Sequence, residues 1–86
     1  MWIASPEKTL IIDGDRFFVD EESDGRSYIY VNGNPVASYS THERAMKVMD
    51  MIEDTILKCE AMRTGYAEYD FGAFVFDMPD DKDVEV

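Results

Sequence analysis

The sequence predicts an α+β fold: an N-terminal antiparallel β-meander of four or five short strands, one long helix, and a short C-terminal strand. Three observations lead there. Residues 40–64 are the only stretch with a sustained helical period. The chain before them runs in short apolar-polar alternations punctuated by turn dipeptides. The last apolar run, 73–78, stops at Pro79. With 86 residues there is room for one domain with a small core, placed at residues 1–79. The acidic remainder, 80–86, has nothing to anchor it and is expected to be disordered.

In chain order, Met1 to Ala4 open apolar, and Ser5, Pro6, Glu7 and Lys8 form a turn. Thr9 to Ile12 read as a strand, and Asp13-Gly14 is a two-residue hairpin signal leading into Asp15 to Asp20. In that second strand Phe17 and Val19 share one face, while Arg16, Phe18 and Asp20 share the other. A polar loop, 21–25, precedes the strand 26–31, where Ile29 and Val31 alternate with Tyr28 and Tyr30. Asn32-Gly33 is the strongest hairpin signal and leads to the strand 34–39. Pro35 lacks a donor, which places that strand at a sheet edge. After the helix come the aromatic segment 66–71, Gly72 and the closing strand 73–78.

The helix starts at Ser40 or Thr41. Ser40 and Glu43 have capping-box spacing, and Thr41 is an equally good cap. Ala45, Val48, Met49, Ile52, Thr55, Ile56 and Cys59 then fall on one face, opposite Glu43, Lys47, Asp50, Asp54 and Lys58. Gly65 suits the exit and Arg63 the negative end of the dipole. A helix over 41–64 is about 35 Å long, against a radius of gyration of about 12 Å for a chain of this length. It therefore overhangs its sheet. Either it bends near Asp54 and Thr55 (or splits into a helix pair), or its overhang packs on a second copy through Met46 and Leu57 on one flank and Met51 and Met62 on the other. We expect a bent helix whose second half makes a dimer contact.

The formal charge is −11, and it is unevenly placed. Residues 1–40 carry seven acids and three bases, residues 41–64 five and four, and residues 65–86 seven and one. Such a field repels nucleic acid and anionic membranes and attracts a basic partner, so direct nucleic-acid binding is not expected. No run approaches the roughly 20 apolar residues of a membrane span. The start does not read as a secretory signal. One cysteine builds no internal disulfide and suits a reducing compartment, so a cytoplasmic protein is expected.

Catalytic readings fare badly. His42 and Cys59, the one histidine and the one cysteine, stand about 25 Å apart along a helix, beyond proton-transfer reach. Asp20, Glu21, Glu22 and Asp24 crowd four carboxylates together without the ligand spacing of a calcium loop. The glycines are isolated turn residues, not a phosphate loop. No metal, no cofactor and no enzymatic activity are expected. What remains is a candidate anion-binding group at the helix start: backbone N–H groups near Ser40 and Thr41, with Arg44 one turn on. Arg16 and Arg26 on the strands add charge, and Tyr28, Tyr30 and Tyr39 offer rings on which a base could stack.

The opening Met1-Trp2-Ile3, the helix start THERAMKVM at 41–49 and the close Phe76-Asp77-Met78-Pro79-Asp80 resemble a group of short proteins of Gram-positive bacteria and their phages. The layout also resembles the Thoeris anti-defence sponge family of phages. Those are small homo-oligomers with an N-terminal antiparallel sheet, a kinked helix pair and a short closing strand. They sequester cyclic ADP-ribose-type signals without cleaving them. The likeness is one of layout and assigns no ligand-binding residue. It implies a non-catalytic anti-defence protein, a homo-dimer or higher, that captures a small cyclic nucleotide in the host cytoplasm. The alternative is an acidic inhibitor that masks the basic surface of a nucleic-acid-handling protein. In that case the acids within 20–24, 50–54 and 77–83 stand in for phosphates.

Overall fold

The computed structural model describes residues 1–65 and 75–85. The expected aromatic segment 66–71, Gly72, and Ala73 and Phe74 of the closing strand lie outside the described residues, as do the side chains of Cys59, Met62 and Arg63. The order of elements is β1 (Trp2–Ala4), β2 (Ile11–Asp13), β3 (Phe17–Glu21), β4 (Ser27–Val31), β5 (Asn34–Tyr39), α1 (His42–Gly65) and β6 (Val75–Asp77), then a 3₁₀ turn at Asp81–Asp83. The class is α+β, with antiparallel strands before a single helix and a short strand after it.

The strands form two three-stranded sheets, in the orders β2-β1-β6 and β3-β4-β5. The second is the expected meander. Asn32 and Gly33 have φ of 52° and 84°, which makes the tight turn pairing Val31 with Asn34. Among the described residues β5 has β4 on one side only, so Pro35 sits in an edge strand. The inward residues are Ile29, Val31, Ala37 and Tyr39, with Phe17 and Val19 packed at the margin.

The hairpin expected at Asp13-Gly14 does not form. β2 turns back through Ser5, whose hydroxyl accepts from the N–H groups of Thr9 and Leu10, and pairs with β1. Gly14 is needed for space, not for a turn: a Cβ there would collide with Cγ1 of Val31. Asn32 holds this junction with its side chain. Its Oδ1 accepts from the N–H groups of Asp15 and Arg16, and its Nδ2 donates to the Asp13 carbonyl. β1 also pairs in parallel with β6, in the register Ile3 to Phe76.

The helix runs uninterrupted over 24 residues, so the alternative of a helix pair is not realised. Its cap is Thr41, whose Oγ1 accepts from the Arg44 N–H at 3.1 Å. Ser40 is thereby left free for another partner. Ala45, Val48 and Ile52 are buried against the sheets, Met49 and Ile56 partly so, as the periodicity predicts. Met46, Met51 and Leu57 on the flanks are 42%, 44% and 60% exposed. The molecule extends 44 Å in one direction and 24 and 20 Å in the others, in keeping with a helix of about 36 Å.

The tail departs from expectation. Residues 80–85 are not left hanging: Val84 is buried in the core, Met78 beside it, and the Tyr39 hydroxyl donates to the Pro79 carbonyl at 2.8 Å. Composition reads such a segment as disordered because its acids dominate. The buried Val84 side chain and hydrogen bonds to Pro79, Asp81 and the Val84 carbonyl tie it down.

Candidate functional site

The sequence singles out Arg16, Arg26, Tyr28, Tyr39, Ser40, Thr41 and Arg44, and the fold divides them. Ser40 and Arg44 come together at the start of α1. The Arg44 Nη1 donates to the Ser40 Oγ at 2.9 Å, and its Nε donates to the Val84 carbonyl at 3.4 Å. The anion they hold belongs to the chain itself. Oδ1 of Asp81 accepts from the Ser40 N–H at 2.8 Å and the Ser40 hydroxyl at 3.1 Å, and its Oδ2 lies 4.0 Å from Arg44. The Ser40 N–H, chiefly, holds the Asp81 carboxyl below the usual carboxylate range, with the Ser40 hydroxyl and Arg44 adding to the effect.

Thr41 is spent on capping. Tyr39 is fully buried rather than available as a stacking ring. Burial pushes its hydroxyl above the usual phenol range, with Asp80 and Asp81 adding to the effect. Arg26 lies against β5, its Nε donating to the Ser38 Oγ and its Nη2 to the Ser38 carbonyl. It lines a cleft of about 440 Å³ with Pro6, Glu7, Ser38, Asp80, Asp81 and Lys82. Two cations and three carboxylates share that lining, so the cleft does not favour an anion.

Arg16 belongs elsewhere. The Asn32 N–H donates to the Arg16 carbonyl, so Arg16 sits beside Asn32, at the far end of the β3-β4 ladder from Arg26. Six residues of extended strand, about 20 Å, separate the two guanidinium-bearing positions. They do not converge on one small ligand.

Tyr28 stands on the outer face of the β3-β4-β5 sheet, away from the helix, and shares it with Tyr30, also a candidate ring, and with Phe18, which the candidates omit. Phe18 and Tyr30 stack there at 4.8 Å between ring centres with planes 4° apart. Phe18 remains 47% exposed. The Tyr28 hydroxyl donates to Asp24 at 2.7 Å, and the Tyr30 hydroxyl donates to Glu22. Each bond favours the neutral phenol: Tyr28 is pushed up by Asp24, and Tyr30 is pushed up to about 12 by Glu22. Asp24 in turn is held below the usual range by the Tyr28 hydroxyl and the Arg26 N–H. The result is an aromatic strip flanked by Asp20, Glu22 and Asp24, with Arg16 at one end and Arg26 at the other.

A signal for Phe18 was present in the alternation, which puts an apolar ring on the same face as Arg16 and Asp20. Asp81 had none. His42 and Cys59 lie at positions seventeen residues apart on one continuous helix. Among the described residues, no three His, Cys, Asp or Glu side chains gather as a metal site would require, and no helix is long and apolar enough to cross a membrane. No protein-family model matches the chain, and no curated protein or solved structure matches it either.

Proposed function

We propose that this chain is a non-catalytic binding protein that covers the basic surface of a nucleic-acid-handling protein. The observation that carries this reading is the occupied anion receptor at the helix start. With Ser40 and Arg44 engaged by Asp81, and Lys8 and Lys58 paired with Asp77 and Asp54, three of the eight basic side chains are matched within the chain. The surface that remains is acidic, and a net charge of −11 steers it toward cationic partners. Such an inhibitor works by occupancy and needs no reacting group. Immobilised protein should retain basic DNA- or RNA-binding proteins from a cytoplasmic extract at low salt. It should release them steeply as salt rises, and polyphosphate should compete. Retention that is indifferent to salt and to polyphosphate would contradict the reading.

A second reading has its own observation. The Ser40 N–H, the Ser40 hydroxyl and Arg44 form a receptor that already accepts one carboxylate. A small cyclic nucleotide could replace Asp81 there, in a homo-oligomer that joins through the exposed Met46, Met51 and Leu57. This is the phage anti-defence role that the resemblance implies. Isothermal titration with cyclic ADP-ribose isomers and cyclic dinucleotides, alongside solution mass, decides it. Heat with one of them from an oligomer supports capture, and no heat from a strict monomer excludes it.

A further inference from the structure

The outer face of the β3-β4-β5 sheet has an unusual pairing of chemistries. Its apolar component is flat and aromatic: the stacked pair Phe18 and Tyr30, with Tyr28 in the next row. Its polar component is net anionic: Asp20, Glu22 and Asp24, with Arg16 at one end of the strip and Arg26, held on Ser38, at the other. Asp20 follows Phe18 by two on the same strand and lies close enough to Tyr30 to help raise its phenol, and Glu22 accepts the Tyr30 hydroxyl. The helix packs on the opposite face, and Phe18 on this one is 47% exposed.

Charge decides among the occupants. A second copy docked here would bring two net-negative faces together, each on a chain of net charge −11, a like-charge contact that costs specificity and affinity. A nucleic-acid base would suit the ring, but its phosphates would meet the same carboxylates. A planar cation satisfies both components at once. A guanidinium stacks on an aromatic face while its N–H groups reach flanking carboxylates, and it is weakly enough hydrated to leave water for that contact.

We propose that this face is the docking surface for arginine side chains of a basic protein segment, received on the exposed ring of Phe18 at its Asp20 side, away from Arg16. The proposal rests on the reading that the partner is basic, and it names the residue type and the place. Arginine is preferred over lysine because the ammonium is a compact, strongly hydrated charge without a stacking plane. One such contact is weak, so recognition needs a segment with several arginines in reach.

The test is fluorescence anisotropy at low salt, with labelled octa-arginine, octa-lysine and a single-stranded oligonucleotide. Each is titrated with the full chain and with the Phe18→Leu, Phe18→Tyr, Asp20→Asn and Asp50→Asn variants. The full chain is expected to bind octa-arginine about threefold or more tighter than octa-lysine. Phe18→Leu abolishes that preference, and Phe18→Tyr, which keeps the ring, retains it. Asp20→Asn weakens both peptides by about two- to fivefold, and Asp50→Asn, on the exposed face of the helix, by less. An arginine preference that survives Phe18→Leu, or a greater loss with Asp50→Asn than with Asp20→Asn, overturns the surface while leaving a basic partner intact. No binding of either peptide to the full chain overturns both. Oligonucleotide binding that is lost with Phe18→Leu puts a base on the ring and overturns the proposal. Superimposable thermal melts keep the comparison valid.

Discussion

At the helix start, Ser40 and Arg44 meet a carboxylate of their own chain; on the outer face of the β3-β4-β5 sheet, the Phe18 ring meets solvent. Both regions collect the groups that grip a charged ligand. The first is closed from within by Asp81, by Val84 in the core and by the bond from the Tyr39 hydroxyl to Pro79. The second keeps its hydroxyls satisfied on Asp24 and Glu22 and leaves its flat surface unused. Donors and acceptors that find partners inside the chain contribute to its stability. Apolar area left exposed does not, and such patches mark contact surfaces. The contrast therefore separates a region whose residues hold the fold from one whose residues are available to a partner.

The sharpest way to break that contrast is to remove an aromatic ring from each side. Tyr39→Ala deletes a fully buried ring beneath the tail and should cost about 4 kcal/mol. That is most of the stability of so small a domain. Phe18→Ala removes a ring that is 47% exposed and should cost less than about 1 kcal/mol. Chemical denaturation followed by circular dichroism measures both. Equal losses would mean that Phe18 serves the core and that the outer face is not free. Next in size is Gly14→Ala, which drives a methyl group into Val31 and should cost about 2 kcal/mol by overpacking. A neutral result there would mean that the junction between the two sheets yields easily.

The local part of this architecture was legible in the residues. Asn32-Gly33 demands positive φ and turns the chain, and the period from Ala45 to Ile56 buries one helical face. Alternation in residues 16–20 put Phe18 on the outer face, and only its company there, two more rings and three carboxylates, required the sheet. The separation of Arg16 from Arg26 was implicit in the hairpin register, since Arg16 lies beside Asn32, six residues along from Arg26. The non-local part was not legible. A three-residue β6 carries no pattern that specifies a parallel partner at the opposite end of the chain. Asp13-Gly14 looks like a turn because glycine serves tight turns and close packing alike, and only Val31 tells which applies. Asp81 resembles every other acid of the tail until Ser40, released from capping by Thr41, supplies its N–H.

The smallest effect tests the closure itself. Asp81 titrates below its ordinary 3.8 because the Ser40 N–H, first of all, stabilises the carboxylate. A carboxyl with a depressed value in the folded state binds its proton less readily there than in the unfolded chain. Its contribution is therefore present above about pH 4 and lost as pH falls through the folded value. Asp81→Asn removes the charge at every pH. The variant should melt slightly below the parent at neutral pH, and the two Tm values should converge as pH falls through the parent's folded value, where its carboxyl is protonated as well. The carboxylate is partly exposed, so salt should narrow the neutral-pH gap without closing it, because the Ser40 N–H bond is short-range. A gap that stays constant down to acid pH would show that Asp81 acts through shape alone. The helix start would then be an anion receptor without an anion of its own, and the advantage would pass to the nucleotide reading.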